Sequence, residues 1–395
     1  ELEGQTNSYI KVKSSLQALK DMALLYRNNL DIKVVGITGS VGKTSTKETI
    51  SYVLNKKYKV LKTEGNFNNE IGLPLTVFRL RDDDEVAVLE MGISDFGEMD
   101  RLSKIAQPDI SVITNIGLCH LENLKTRDGI LKAKTEIFNN MKPDGIAILN
   151  GDDDKLITVD EVNGKKPERF GINYKDGVYA KDIENLGLSG TKFVISGLNC
   201  VDGCKDFEVT VPVPGHHMIY NALAAACVGA ALELTSAQIA DGITDLKTIS
   251  GRNNIIKTSK YTLIDDCYNA NPVSMKASVD VLDMAIGRKV CILGNMYELG
   301  ENEKNLHYDV GQYIGTKNID VLITIGDLAR HIAMGTDDYM ETHFGSYDCE
   351  IHSFDDMEEF NMAYSSILKD NDNILIKASH AMKFADIVEL LSKDN

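Results

Sequence analysis

The segment Lys33-Val-Val-Gly-Ile-Thr-Gly-Ser-Val-Gly-Lys-Thr-Ser-Thr-Lys47 constrains this chain more than any other. It reads as an apolar strand, then a glycine-bearing turn, then a helix opening at Lys43-Thr44. A turn of this kind aims several backbone N–H groups at one point and can cradle a triphosphate. Gly39, Ser40, Val41 and Gly42 form the turn, and Ser45 lies just inside the helix. Lys43 adds a point charge near the outer phosphates, and the Thr44 hydroxyl is placed to hold Mg²⁺. The pattern is not a strict Walker motif, because Ile37 stands where its first glycine belongs. A strand–turn–helix corner whose glycines serve only the turn is the plainer alternative; the Lys-Thr pair at the helix start argues against it.

Downstream, short apolar stretches alternate with helical patterns. Strands are expected at 34–38, 60–62, 86–90, 110–114 and 146–149, and helices at 14–26, 43–54, 98–105 and 129–141. Buried strands separated by helices imply a mostly parallel sheet covered on both faces. Between 160 and 213 the pattern changes to short alternating stretches, 191–196 and 206–212, which read as a small antiparallel β-rich appendage. An alanine-rich helix follows at 221–234. From Gly251-Arg252 onward, strands at 262–266, 289–293, 321–325 and 374–377 alternate with helices near 274–285, 307–316, 356–369 and 381–392. The predicted class is therefore α/β: a phosphate-loop domain with a β-rich appendage, followed by a Rossmann-like doubly wound C-terminal domain. The second unit carries no dinucleotide fingerprint, so a nicotinamide cofactor is not expected.

Composition narrows the partners. A formal charge of −17 over 395 residues argues against nucleic acid or an anionic membrane, although a local basic site can still take an anionic substrate. No apolar run approaches membrane-spanning length, and no signal peptide is visible. The chain begins at Glu1 rather than Met, so a preceding segment is expected. Seven cysteines, odd in number and scattered in apolar surroundings, fit reduced thiols of the cytoplasm. Cys200 and Cys204 are the one close pair, without the further soft ligands zinc needs.

Four features accompany the phosphate loop. Glu90 ends an apolar strand, where α/β sites gather, and a carboxylate there suits Mg²⁺; an exposed strand-end glutamate is the equal alternative. His120 lies just beyond another strand end. Lys132 and Lys134 share one helix, and composition favours neither. The loop Thr63-Glu-Gly-Asn-Phe-Asn-Asn-Glu-Ile-Gly-Leu-Pro74 offers Asn66, Asn68 and Asn69 to a sugar or diphosphate, or serves turn chemistry alone.

Taken together, Gly36–Glu48, Gly65–Pro74, Thr114-Asn-Ile-Gly117 with His120-Leu-Glu122, and Ala133-Lys-Thr-Glu-Ile-Phe138 resemble the Mur ligase family. Asp265-Asp-Cys-Tyr-Asn-Ala-Asn-Pro272 and Leu293-Gly-Asn-Met-Tyr-Glu-Leu-Gly300 narrow the likeness to the branch that adds D-alanyl-D-alanine to UDP-N-acetylmuramoyl-tripeptide for peptidoglycan. The resemblance implies three domains: a remnant of a UDP-binding domain with its linker at 1–30, a central ATP-binding domain at 31–249 and a C-terminal domain at 250–395. It implies an ATP-dependent ligase that activates a carboxylate as an acyl phosphate, to be attacked by the incoming amine. A cytoplasmic monomer, bound neither to membrane nor to nucleic acid, is expected.

Residue by residue, the resemblance assigns Lys43 to the outer phosphates and Thr44 to a first Mg²⁺. Glu90 becomes a metal ligand and His120 a ligand of a second ion. Lys134 matches a carbamylated lysine, whose anionic carbamate offers oxygens where an ammonium would repel the metal. Asn221, Arg252 and Asp266 match nucleotide contacts, and Tyr268, Asn269 and Asn271 belong to a segment facing ATP and the acceptor. Two departures stand out: Gly294-Asn-Met296 where the family reads Gly-Asp-Met, and Lys377-Ala-Ser-His380 where it reads Lys-Gly-Ser-Arg. Both bear on the incoming amine, and His307 lies near them or merely caps its helix. A Mur-type ligase with another amino donor, or a nucleotide-binding pseudo-ligase, are the alternatives.

Overall fold

The computed structural model describes residues 10–344 and 349–393. The first nine residues of the expected N-terminal remnant therefore lie outside the described residues. The rest of that segment forms a helix, Ser15–Asn28, capped by the Ser14 side chain. Its Ala23 joins the same apolar core as Val34, Leu89 and Ile113, so the helix is packed onto the first sheet. Arg27, buried in its last turn, donates to the carbonyls of Leu30 and Ile32 at 2.9 and 3.1 Å.

The first sheet comprises β1 (Lys33–Thr38), β2 (Val60–Lys62), β3 (Val86–Glu90), β4 (Ile110–Ile113), β5 (Ile146–Asn150), β6 (Glu168–Gly171), β7 (Val178–Asn185), β8 (Thr191–Ser196) and β9 (Phe207–Val211). Among the described residues their order is β2-β3-β1-β4-β5-β6-β7-β8-β9. Pairing is parallel from β2 to β7, and antiparallel for β7–β8 and β8–β9. The stretch read as an appendage is thus antiparallel as expected, and it continues the parallel sheet. Apolar side chains alternate to two faces, forming one core around the helices Lys43–Leu54 and His217–Ala231 and another on the opposite side. Burial on both faces explains why β1, β3 and β4 read as continuous apolar runs.

β1 is flanked by β3 and β4, with Ile37 level with Glu90 and Thr38 level with Ile113. The chain crosses from one side of β1 to the other at this point. In open α/β sheets such a switch opens a crevice beyond the carboxyl ends of the strands. Sequence-distant ends at Thr38, Glu90 and Thr114 are thereby brought to one edge.

The second sheet contains β10 (Asn254–Lys257), β11 (Thr262–Asp265), β12 (Lys289–Gly294), β13 (Val321–Ile325), β14 (Glu350–Phe354) and β15 (Asn373–Lys377), in the order β10-β11-β15-β12-β13-β14. Only the β10–β11 pair is antiparallel among the described residues. The helix Pro272–Asp283 starts at an Asn271–Ser274 capping box, with Pro272 at its first turn, where its missing N–H is not needed. The expected helix at 129–141 is instead two pieces. An α-helix, Arg127–Thr135, begins at the Thr126 cap and tightens into a 3₁₀ turn at Glu136–Asn140.

Candidate active site

The turn after β1 is shaped by two glycines. Gly39 has φ 154°, and a Cβ on it would lie 1.9 Å from Thr114 Oγ1. Gly42 sits at φ 83° and precedes the helix Lys43–Leu54. Asn115 clamps the turn from the neighbouring strand end. Its carbonyl accepts from Ser40 N at 3.0 Å, its Oδ1 accepts from Val41 N at 2.9 Å, and its Nδ2 donates to Val41 O at 2.8 Å. The first intrahelical bond runs from Thr46 N to Gly42 O. The amides of Lys43, Thr44 and Ser45 therefore have no acceptor within the helix and face an anion site. Lys43 folds back over the turn, donating to Gly39 O at 2.8 Å. Burial lowers its pKa, and Glu90 opposes that shift.

Glu90 is 2% exposed. Its Oε1 accepts from Thr44 Oγ1 at 3.2 Å and from Asn68 Nδ2 at 2.9 Å. Its Oε2 is buried and has no hydrogen-bond partner. Asn68 therefore supports the carboxylate. Asn69 Oδ1 accepts from the amides of Ile71 and Gly72 and starts the short helix Gly72–Val77. Asn66, exposed, lines the cleft.

His120 adopts φ 51°. Its Nδ1 lies 3.8 Å from Glu298 Oε2, which reaches it from the second unit. Burial lowers its pKa, reinforced by Lys134 and Lys43, so the imidazole stays neutral and able to donate a lone pair. Lys134 is 1% exposed. Burial, with the charge of Lys43, brings its pKa down from 10.5 to about 7. No described residue gives it a hydrogen bond or ion pair, and Lys132 lies instead over the Phe96 ring.

The second unit supplies Arg252, whose Nη2 donates to Thr44 Oγ1 at 3.3 Å while its guanidinium lies 4.1 Å from the Tyr268 ring centre. Asp266 is committed within that unit, accepting from Asn253 N at 3.2 Å, Ser278 Oγ at 2.5 Å and Lys377 Nζ at 2.5 Å. Asn269 and Asn271 lie on the cleft, with Asn271 also capping its helix. Asn221 is buried behind the turn, accepting from Thr46 Oγ1 at 2.9 Å.

The turn, Glu90, His120, Arg252, Asp266 and Tyr268 border one cleft of about 900 Å³ between the two sheets. Sequence reasoning gave no role to Asn115, Lys47 or Lys377. Asn115 was legible as the first residue past a strand end; the two lysines were not, because a lysine in sequence defaults to a solvated one.

The departure at Asn295 resolves into structure. Asn295 Nδ2 donates to Asp327 Oδ1 at 3.0 Å, and its Oδ1 accepts from Ala329 N at 2.8 Å. An aspartate at 295 would face the Asp327 carboxylate, so the amide suits this chain. His307 is fully buried, its Nε2 accepting from Met296 N at 2.8 Å and its Nδ1 bonded to Glu303 O at 2.7 Å. It fastens the Met296 segment. His380 lies 5.6 Å from the Tyr268 ring, centre to centre.

Fold and site together define a phosphate-loop nucleotide-binding protein in which a second α/β unit delivers a guanidinium to the phosphate turn. Residues 37–229 match the Mur ligase middle domain and residues 251–380 the Mur ligase glutamate ligase domain. The chain belongs to the Mur ligase family. Its relatives include the UDP-N-acetylmuramoyl-tripeptide–D-alanyl-D-alanine ligase of Bacillus subtilis, 37% identical over 98% of this chain and 81% of that protein. The Escherichia coli enzyme of the same name is 32% identical over 97% and 82%. Among solved structures, MurF from Acinetobacter baumannii superimposes with a TM-score of 0.87 at 30% identity, covering 98% of this chain and 82% of that one. MurF ligase from Thermotoga maritima in complex with ADP gives 0.84 at 30% identity, over 99% and 87%.

Proposed function

We propose that this chain is an ATP-dependent ligase that joins D-alanyl-D-alanine to UDP-N-acetylmuramoyl-tripeptide, forming an amide with release of ADP and phosphate. The relatives at 31–37% identity that carry this activity in their names support it. The carrying observation is Thr44, whose hydroxyl meets both Glu90 of the first sheet and Arg252 of the second unit. One contact thus ties the phosphate turn, a strand-end carboxylate and the far wall of the cleft.

A carboxylate resists amines because oxide is a poor leaving group, and transfer of the γ-phosphoryl group supplies a better one. The opposing difficulty is charge, since an anionic acid must approach an anionic phosphate. Lys43 and Arg252 offset that repulsion, and Arg252 can fork across phosphate oxygens. Lys43 must release Gly39 O to reach the nucleotide. The Asn115 clamp holds the turn in place, and closure of the cleft would exclude water.

The donor set fits Mg²⁺. Glu90 Oε2 is a buried carboxylate oxygen without a hydrogen bond, Thr44 adds a hydroxyl, and His120 is held neutral. Thr44 and Glu90 would hold one ion, and His120 with a carbamylated Lys134 a second. Bound there, Mg²⁺ would neutralise phosphate charge. An uncharged amine fraction at Lys134 near neutral pH supports capture of CO₂. We read residues 31–249 as the ATP-binding domain, 250–395 as the acceptor domain, and the protein as a monomer of the cytoplasm. Among the described residues, no helix is long and apolar enough to cross a membrane.

The test is phosphate release with ATP, Mg²⁺ and UDP-N-acetylmuramoyl-tripeptide, with and without D-alanyl-D-alanine. Release requiring both substrates is expected. Nucleotide binding without turnover would favour the pseudo-ligase, and turnover with another amine a different amino donor.

A further inference from the structure

Lys47 is a buried charge that the chemistry above leaves unused. It lies one turn beyond Lys43 on the same helix and is 2% exposed. Its Nζ donates to Thr63 O at 2.7 Å, lies 3.2 Å from Glu48 Oε1 and stands 3.9 Å from Glu90 Oε2. Glu48 is in turn paired with Lys62. Thr63, fully buried, accepts from Glu90 N through its Oγ1 at 3.0 Å. Lys47 thus joins the helix after the phosphate turn, the start of the asparagine loop and the end of β3.

The 3.9 Å separation decides what Lys47 does to Glu90. It is too long for a hydrogen bond, yet the attraction between opposite charges remains strong in a buried setting. An ammonium at this distance keeps a buried carboxylate in place without occupying the lone pairs of Oε2. That oxygen is the buried one with no hydrogen bond. Its partner Oε1 is held by Thr44 and Asn68. The other ammonium acting on Glu90, Lys43, is turned to Gly39 O.

We infer that Lys47 is a positioning residue for Glu90, holding its carboxylate beside Thr44 at the phosphate turn in the orientation a divalent cation there needs, with Oε2 left free of hydrogen bonds. This inference rests on the metal reading of the site given above.

The test is calorimetric ADP binding, with Mg²⁺ and with EDTA, to the wild type, Lys47→Met, Glu90→Gln and the double variant. Lys47→Met should keep its metal-free ADP affinity and lose about tenfold of the tightening that Mg²⁺ provides, as for residues that orient metal ligands. Glu90→Gln should lose the tightening as well, and the double variant should be no worse than Glu90→Gln alone. Full Mg²⁺ tightening in Lys47→Met would overturn the inference, as would a Lys47→Met effect of equal size in the Glu90→Gln background. If Glu90→Gln keeps the tightening, the metal reading itself fails, and the inference with it. If Lys47→Met does not fold, the doubly neutral variant decides. Removing both members of a buried pair is far less disruptive than removing one, so recovered folding supports the pairing and continued failure overturns it.

Discussion

Lys134→Met isolates one buried charge. Burial and Lys43 bring the Lys134 ammonium from 10.5 to about 7, a difference on the order of 5 kcal/mol between its protonation states. Between those two values the unfolded chain holds a proton that the folded chain lacks. Stability should therefore rise with pH across that window, by about 1.4 kcal/mol per pH unit. From pH 7, where the folded-state group is half protonated, to pH 9 the wild type gains about 2.3 kcal/mol from this group alone. Below pH 7 both states are protonated, the slope vanishes and the folded state bears the whole burden of the buried ammonium. Methionine fills a similar volume and does not titrate. The variant should thus be more stable than the wild type at pH 6–7, with its advantage shrinking steadily towards pH 9. Urea unfolding of both proteins at pH 6, 7, 8 and 9 in CO₂-free buffer measures this. CO₂ must be absent because a carbamate would replace the cation with an anion beside Lys43. Adding bicarbonate at pH 8 should then stabilise the wild type and leave the variant unchanged. A stability difference that stays constant between pH 7 and 9 would refute the reasoning, because the ammonium would then have a stabilising partner.

Asn295→Asp should destabilise the chain by about 1–3 kcal/mol at pH 7, the range for a buried polar group left without its hydrogen bond. The loss should shrink at pH 5, where two facing carboxylates can share a proton, and Asp327→Asn should reverse it; urea unfolding at the two pH values reads all three. Gly39→Ala places a methyl 1.9 Å from Thr114 Oγ1, so the turn must shift. ADP affinity should fall at least tenfold and the melting temperature should fall with it, both measured on the same preparation. Asn115→Ala removes both side-chain bonds to Val41 and should weaken ADP binding by about 1–2 kcal/mol, read by calorimetry.

What the sequence disclosed and what it withheld divide along a physical line. β1 and β3 were legible because burial on both faces leaves a continuous apolar run, and the Lys43 helix because its glycine turn has few other uses. The strands 254–257 and 350–354 and the helices 236–244 and 330–344 went unread. Glu350–Phe354, for example, is an edge strand only partly buried, so its apolar residues are diluted by Glu350, His352 and Ser353. At the site, strand-end logic found Glu90 and His120, since a parallel sheet fixes where its carboxyl ends go. It could not find Lys47 or Lys377, because a buried lysine is defined by partners distant in sequence. Lys47 depends on Thr63 and Glu90, and Lys377 on Asp266, 111 residues away. The same limit explains Asn295. Read along the chain it is an aspartate lost from a family motif; across the sheet it is the amide that lets Asp327 stand beside it. A local departure in sequence is thus weak evidence for altered chemistry until the group facing it is known, and here that group accounts for the change without involving the incoming amine.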